Sequence, residues 1–147
     1  LGLRGATTSA FGIAPDVGFA IDVGFATDVP DIEKKVLGEL SLGKGPALSR
    51  TADNNPVLIA KIIAAAKRKK IKYQEKAGFR ASGGTDTATI QLSRSGVATA
   101  LISIPNRYMH TPVEMCDLAD AEGAVALLAE TICSLKEGDS FIPGIDK

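Results

Sequence analysis

The chain has 147 residues, 45% of them apolar, with 17 basic and 17 acidic side chains and a formal net charge of zero. That length suits one domain with a sizeable core, and the apolar content excludes disorder. Balanced charge excludes a global field that would gather nucleic acid or anionic lipid, so neither is expected as a partner.

Two cysteines, Cys116 and Cys133, form neither a Cys-x-x-Cys pair nor a disulfide framework. No apolar run reaches membrane-spanning length, and no signal peptide is visible. A reduced, cytoplasmic setting is therefore expected. The chain opens on Leu1 without an initiator methionine, and its first residues resemble the inside of a domain, so an upstream segment is expected.

In chain order, residues 3–12 suit a short helix, and a Pro15-Asp16 turn leads into a strand over 17–26, with apolar and small residues on both faces. Residues 27–54 are irregular, with a Gly-Lys-Gly-Pro turn at 43–46 leading into a short strand. The clearest helix covers 56–69. Asn55 caps it, Pro56 suits its first turn, and Leu58, Ile59, Ile62 and Ile63 form its apolar stripe. The basic run Lys67-Arg68-Lys69-Lys70, continued at Lys72, fits the negative end of that helix's dipole better than a nucleic-acid patch. It has no interleaved aromatics on which bases could stack. A strand at 71–75 follows, then a helix capped by Thr85 or Asp86 and running through Leu92, then a strand at 97–104. A last helix starts at Asp117 or Asp120 and runs on Val125, Leu128, Ile132 and Leu135. Strands separated by helices predict an α/β fold, a mostly parallel sheet with helices on both faces.

Three features can carry chemistry. His110, the one histidine, sits in Ile-Pro-Asn-Arg-Tyr-Met-His-Thr-Pro-Val-Glu at 104–114, just past a strand and before a proline turn and a carboxylate. A rigid strand fixes a loop residue at the rim of a sheet, which suits a metal or catalytic group. A lone histidine, taken by itself, is more often a surface or satisfied residue than a ligand. The second feature is an echo of six residues that repeats aspartate at Asp16, Asp22 and Asp28. In a strand these would share a face but lie about 20 Å apart in succession, so they cannot share one ion. Asp22, flanked by Ala20, Ile21, Val23 and Phe25, is expected to be buried, and so metal-bound or salt-bridged. The third is Ser82-Gly83-Gly84-Thr85-Asp86 before a helix, either an anion-binding run of amides or a tight turn with a helix cap. It lacks the spacing of a nucleotide-binding loop.

Taken together, Gly83-Gly84-Thr85-Asp86, Ile90-Gln91-Leu92-Ser93-Arg94, Gly96-Val97 and the run around His110 resemble the C-terminal half of a dinuclear-metal aminopeptidase family. It includes glutamyl and deblocking aminopeptidases that form tetrahedral dodecamers, some labelled endoglucanase or cellulase. Leu3-Arg4-Gly5-Ala6, Ala20-Ile21-Asp22-Val23 and Gly43-Lys44-Gly45-Pro46 extend the likeness over nearly the whole chain, in order.

The resemblance implies a zinc-peptidase-like three-layer domain, of which residues 1–147 would be the C-terminal portion, without the N-terminal portion and the inserted oligomerisation domain. It implies a peptide substrate, a homo-oligomer, and two divalent ions, zinc or cobalt. Asp22 matches the carboxylate ligand of one ion and His110 the imidazole ligand of the other. Glu114, Arg107 and Tyr108 match residues expected to support His110, and Gly84, Thr85 and Asp86 match a substrate-lining wall. The family's Glu-Glu pair, which supplies the general base and a ligand, would fall just before Leu1. With only part of the ligand set, the isolated chain is expected to be inactive and to bind metal weakly. Two other readings stay open: a non-enzymatic subunit with the same fold, and a glycoside hydrolase. The latter is disfavoured by the absence of tryptophan and the presence of only two tyrosines.

Overall fold

The computed structural model describes residues 2–77 and 84–144. Its elements are α1 (Arg4–Ile13), β1 (Val17–Phe25), α2 (Lys34–Leu37), β2 (Ala47–Arg50), α3 (Pro56–Lys69), β3 (Gln74–Ala77), α4 (Thr87–Ile90), β4 (Ala98–Arg107), β5 (Met115–Cys116) and α5 (Leu118–Ser134). The sheet runs β1-β4-β2-β3, with β5 added alongside β4. β1 pairs parallel with β4, and β2 parallel with β3; β2 and β5 each meet β4 antiparallel. The fold is thus α/β around a mostly parallel mixed sheet, as expected.

The strongest helix forms where its sequence signals are local. Asn55 Oδ1 accepts from the amides of Val57 and Leu58, both at 3.0 Å, and satisfies donors that the first turn leaves without partners. Lys70 closes α3 in the left-handed conformation, its N–H reaching the carbonyls of Ala66 and Lys67. The basic run does lie at this helix end, where Lys69 and Arg68 meet Glu130 of α5.

Strand alternation sends Ala100 and Ile102 of β4 into a core with Leu48, Leu58, Ile59, Ile62, Ala66, Ala124 and Leu127. Val17 and Phe19 of β1 pack against it. The opposite face carries α4: a Cβ at Gly18 would collide with Ile90, which leaves no room for a larger residue there. α1 packs on α4, and the Arg94 guanidinium sits 4.2 Å over the Phe11 ring. Helices therefore cover both faces.

Several local expectations shift. β3 starts at Gln74, later than 71–75 implied, because the Ile71 amide still closes α3 on Ala66 O and the Gln74 side chain ties down Ser41 and Gly45. The helix expected through Leu92 ends at Ile90, and Asp86 makes no side-chain cap; Thr85 and Thr87 are engaged instead in a buried hydroxyl network. β4 continues past residue 104 to Arg107. Pro105 falls between the last β2 pair, at Ser103, and the first β5 pair, at Asn106, where a missing N–H is tolerated. In α5 the buried residues are Asp120, Ala124, Leu127 and Thr131, while Val125 and Ile132 of the expected stripe are exposed. The strand expected to be buried on both faces is an edge strand among the described residues, with Ile21 48% and Phe25 54% exposed. Ser82, Gly83 and Leu1 lie outside the described residues.

Candidate functional site

β1 and β4 run side by side in register from Val17↔Ala98 to Phe25↔Asn106, so both deliver their C-terminal ends to one rim. Just beyond β4 the chain turns back through residues 108–113 into β5. Two residues of this turn, Tyr108 (φ 55°) and His110 (φ 68°), adopt the left-handed conformation that disfavours side chains.

Side chains hold the turn in that shape. Glu114 Oε1 accepts from the His110 amide and Oε2 from Asn106 Nδ2, while Asn106 Oδ1 accepts from the Met115 amide. The Thr111 hydroxyl donates to Tyr108 O at 2.6 Å. The imidazole of His110 meets Phe25 edge-on, with centroids 5.7 Å apart and planes at 81°. Among the described residues its ring nitrogens have no hydrogen-bond partner, so they remain able to serve as ligands.

Arg107, the last residue of β4, forms a two-pronged ion pair with Asp28: Nε to Oδ1 at 2.9 Å and Nη2 to Oδ2 at 2.7 Å. The Leu42 amide also donates to Asp28 Oδ2. The Arg107 hydrogen bond holds the Asp28 carboxyl below its ordinary pKa; desolvation opposes this and the Leu42 amide adds to it. The guanidinium is raised in turn by the same hydrogen bond. Tyr108, expected beside His110 as support, contributes its backbone carbonyl while its side chain is half exposed.

Asp22 is exposed, which corrects the expected burial: it lies on an edge strand, so the desolvation argument for an obligatory partner does not apply to it. Its Oδ1 accepts from the neighbouring Val23 amide at 2.8 Å. It opposes Ser103 in the sheet and precedes Phe25 by three residues, roughly 10 Å of strand. Among the described residues no three His, Cys, Asp or Glu side chains cluster as a closed metal site. What the chain offers is an exposed carboxylate about 10 Å before the end of β1 and an exposed imidazole just past the end of β4, oxygen and nitrogen donors that several divalent metals accept.

Gly84 has φ 73°. The Thr85 hydroxyl bonds that of Thr87, which donates to Asp53 at 2.9 Å, so these threonines stabilise the loop from inside. Asp86 lines an open hollow of about 650 Å³ with Gly2, Leu3, Arg4 and Gly5. A larger hollow, about 1030 Å³, lies at the opposite end of β1 and β4, between Val17, Ala98 and the tail from Leu135 to Pro143, away from His110. Sequence reasoning missed Asp28, Asn106 and Phe25 as neighbours of the histidine turn. No local signal marks the Arg107–Asp28 pair, since the acidic residue near Arg107 in sequence is Glu114 and the true partner lies 79 positions away.

Comparison with known proteins bears on this geometry. A lysyl aminopeptidase of Pyrococcus furiosus is 40% identical over 143 residues, covering 97% of this chain and 40% of that protein. The solved TET aminopeptidase of a marine-sediment Thaumarchaeota archaeon superposes with a TM-score of 0.84 at 35% identity, over 93% of this chain and 38% of that one. A Pyrococcus horikoshii TET1 peptidase, described as assembling into a tetrahedron or a large octahedral shell, matches with a TM-score of 0.66 at 28% identity, over 90% and 37%. The chain thus spans about two fifths of the length of these relatives. The glycoside hydrolase alternative falls away, since the family model that matches describes peptidases. That model, M42 glutamyl aminopeptidase, aligns with residues 1–127, Asp22 and His110 included, and the chain belongs to this family.

Proposed function

We propose that this chain contributes Asp22 and His110 to the metal site of an aminopeptidase that removes N-terminal residues from peptides. The observation carrying the proposal is the presentation of His110: a left-handed turn pinned by Glu114, with ring nitrogens unbonded at the end of the parallel β1–β4 pair. Two divalent ions, zinc or cobalt, would supply an activated water and stabilise the charge that develops on the scissile carbonyl. The protein's own part is geometric. Asp22 and His110 are the donors, Glu114 fixes the backbone from which the imidazole projects, and Phe25 limits the ring's rotation. Asp86, beside Arg4, forms a wall for the substrate, which Thr85 braces from inside through Thr87.

On this reading residues 1–147 are the C-terminal portion of a catalytic domain in a cytoplasmic homo-oligomer. The general base, the remaining ligands and the oligomerisation insert come from elsewhere in the protein. The test is hydrolysis of leucyl-, lysyl- and glutamyl-p-nitroanilide. A protein that includes the remaining ligand-bearing segments turns these over, loses activity to a chelator and regains it with cobalt. The isolated 147-residue chain shows no metal-dependent turnover. Turnover by the isolated chain, or chelator-insensitive turnover by the longer protein, would contradict the proposal.

A further inference from the structure

Asp28 repeats the spacing of Asp22 yet has a different environment. Both of its oxygens are taken, Oδ1 by Arg107 Nε and Oδ2 by Arg107 Nη2 and the Leu42 amide, so it is not available as a donor to an ion. We propose that Asp28, acting through Arg107, is a positioning residue that sets the direction of the His110 imidazole. This rests on the reading of His110 as a metal donor.

The bonds inside the histidine turn, from Glu114, Asn106 and Thr111, fix its internal shape. They also join the turn to Asn106, whose carbonyl accepts from the Ala26 amide at the last rung of the β1–β4 pairing. The Arg107–Asp28 pair carries that tie past the ends of both strands, to the root of the turn. It ties the last residue of β4 to a residue three positions beyond the end of β1, and the planar guanidinium meets the carboxylate in one orientation. The anchor is itself firm. Next to Asp28, buried Thr27 exchanges hydrogen bonds with Leu40 through its amide and hydroxyl, and the Leu42 amide closes the same loop onto Asp28. Phe25, the ring against which the imidazole stands, is three residues before Asp28. One carboxylate therefore holds both the turn that carries the imidazole and the segment that carries its aromatic stop. Partners of this kind orient a ligating histidine before the metal arrives.

The 147-residue chain has one histidine, so its imidazole C–H resonances report His110 alone. In the native chain the ring current of Phe25 displaces them from those of a solvated histidine, and zinc ions shift them further. In Asp28→Asn, which keeps an oxygen for the Leu42 amide, the Phe25 displacement shrinks and the zinc midpoint rises about tenfold. Arg107→Lys keeps the charge but loses the two-pronged geometry, and moves both readouts in the same direction. It stands in if circular dichroism shows that the asparagine variant has lost its fold. Native displacement and native zinc midpoint in a folded Asp28→Asn or Arg107→Lys chain overturn the proposal. Loss of the Phe25 displacement in Asp28→Asn supports the positioning role even where zinc leaves the native signals unmoved; the metal reading is then overturned on its own if the protein with the remaining ligand-bearing segments keeps its full metal content in His110→Ala.

Discussion

Asn55 binds at three points: its Oδ1 caps the amides of Val57 and Leu58, and its Nδ2 donates to Phe141 O in the tail. Asn55→Ala removes the cap and the tail bond together. The expected cost is about 1–2 kcal/mol, read as a fall in Tm of roughly 2–4 °C per kcal/mol for a chain of this size. Asp28 adds a pH signature. Its folded-state pKa lies below the ordinary 3.8, chiefly through the Arg107 hydrogen bond. The pair's stabilisation is therefore fully present above that pH and is lost as pH falls through the folded value. The Tm difference between native chain and Asp28→Asn stays level from about pH 7 to pH 5 and closes in stronger acid; a gap that widened in acid would contradict the sign. At this scale sequence showed Glu114 as a partner of the His110 turn and Asn55 as a cap, because those bonds join neighbours a few residues apart. The Arg107–Asp28 pair joins positions 79 residues apart, and nothing local announces it. The expected burial of Asp22 failed for a related reason: its apolar neighbours describe the strand, and exposure depends on where the strand sits in the sheet.

The Gly-Lys-Gly-Pro turn shows how an element can be recognised while its support is hidden. The buried Asp120 carboxylate of α5 accepts from the amides of Gly43 and Gly45, both at 2.7 Å, and so clamps the turn that launches β2. Sequence offered Asp120 as a helix start; the cap is Asp117, which leaves Asp120 for this longer-range bond. Gly45 has φ 96°, and a Cβ there would strike the Lys72 carbonyl and the Tyr73 amide. Gly45→Ala is expected to cost roughly 2–4 kcal/mol in urea unfolding, strain and collision together. Gly38→Ala, at φ 76° and ψ 177° but in open space, is expected to cost about 1–3 kcal/mol from backbone strain alone, less than Gly45→Ala. Equal costs at the two glycines would mean that backbone conformation, and not contact with the residues leading into β3, decides this turn. The helix α3 was legible to the residue because its stripe and cap are both local, whereas α5 buries Ala124 and Leu127, packs Leu128 and Leu135 of the expected stripe against the core, and leaves Val125 and Ile132 exposed.

At the scale of the molecule the two sheet edges formed by the described residues differ. β3, at one end, carries Glu75 and Lys76, charges of the kind that discourage further pairing. β1, at the other, presents exposed Ile21 and Phe25. The isolated chain is therefore expected to associate as its concentration rises, and Ile21→Lys to keep it monomeric in sedimentation velocity; matching profiles would show that the β1 edge is not the contact. The α/β class was legible from strands alternating with helices. The reversed direction of β2 against β4 was not, because it is set by pairing between segments about 55 residues apart. The reading of the whole depends on Asp22 and His110 being metal donors at the shared rim, and metal content tests it most directly. The metal bound per chain is measured by elemental mass spectrometry in a protein that includes the remaining ligand-bearing segments, and in its Asp22→Ala and His110→Ala variants. The account predicts less bound metal in each variant, with the fold intact by circular dichroism. Full native metal content in both variants would contradict it.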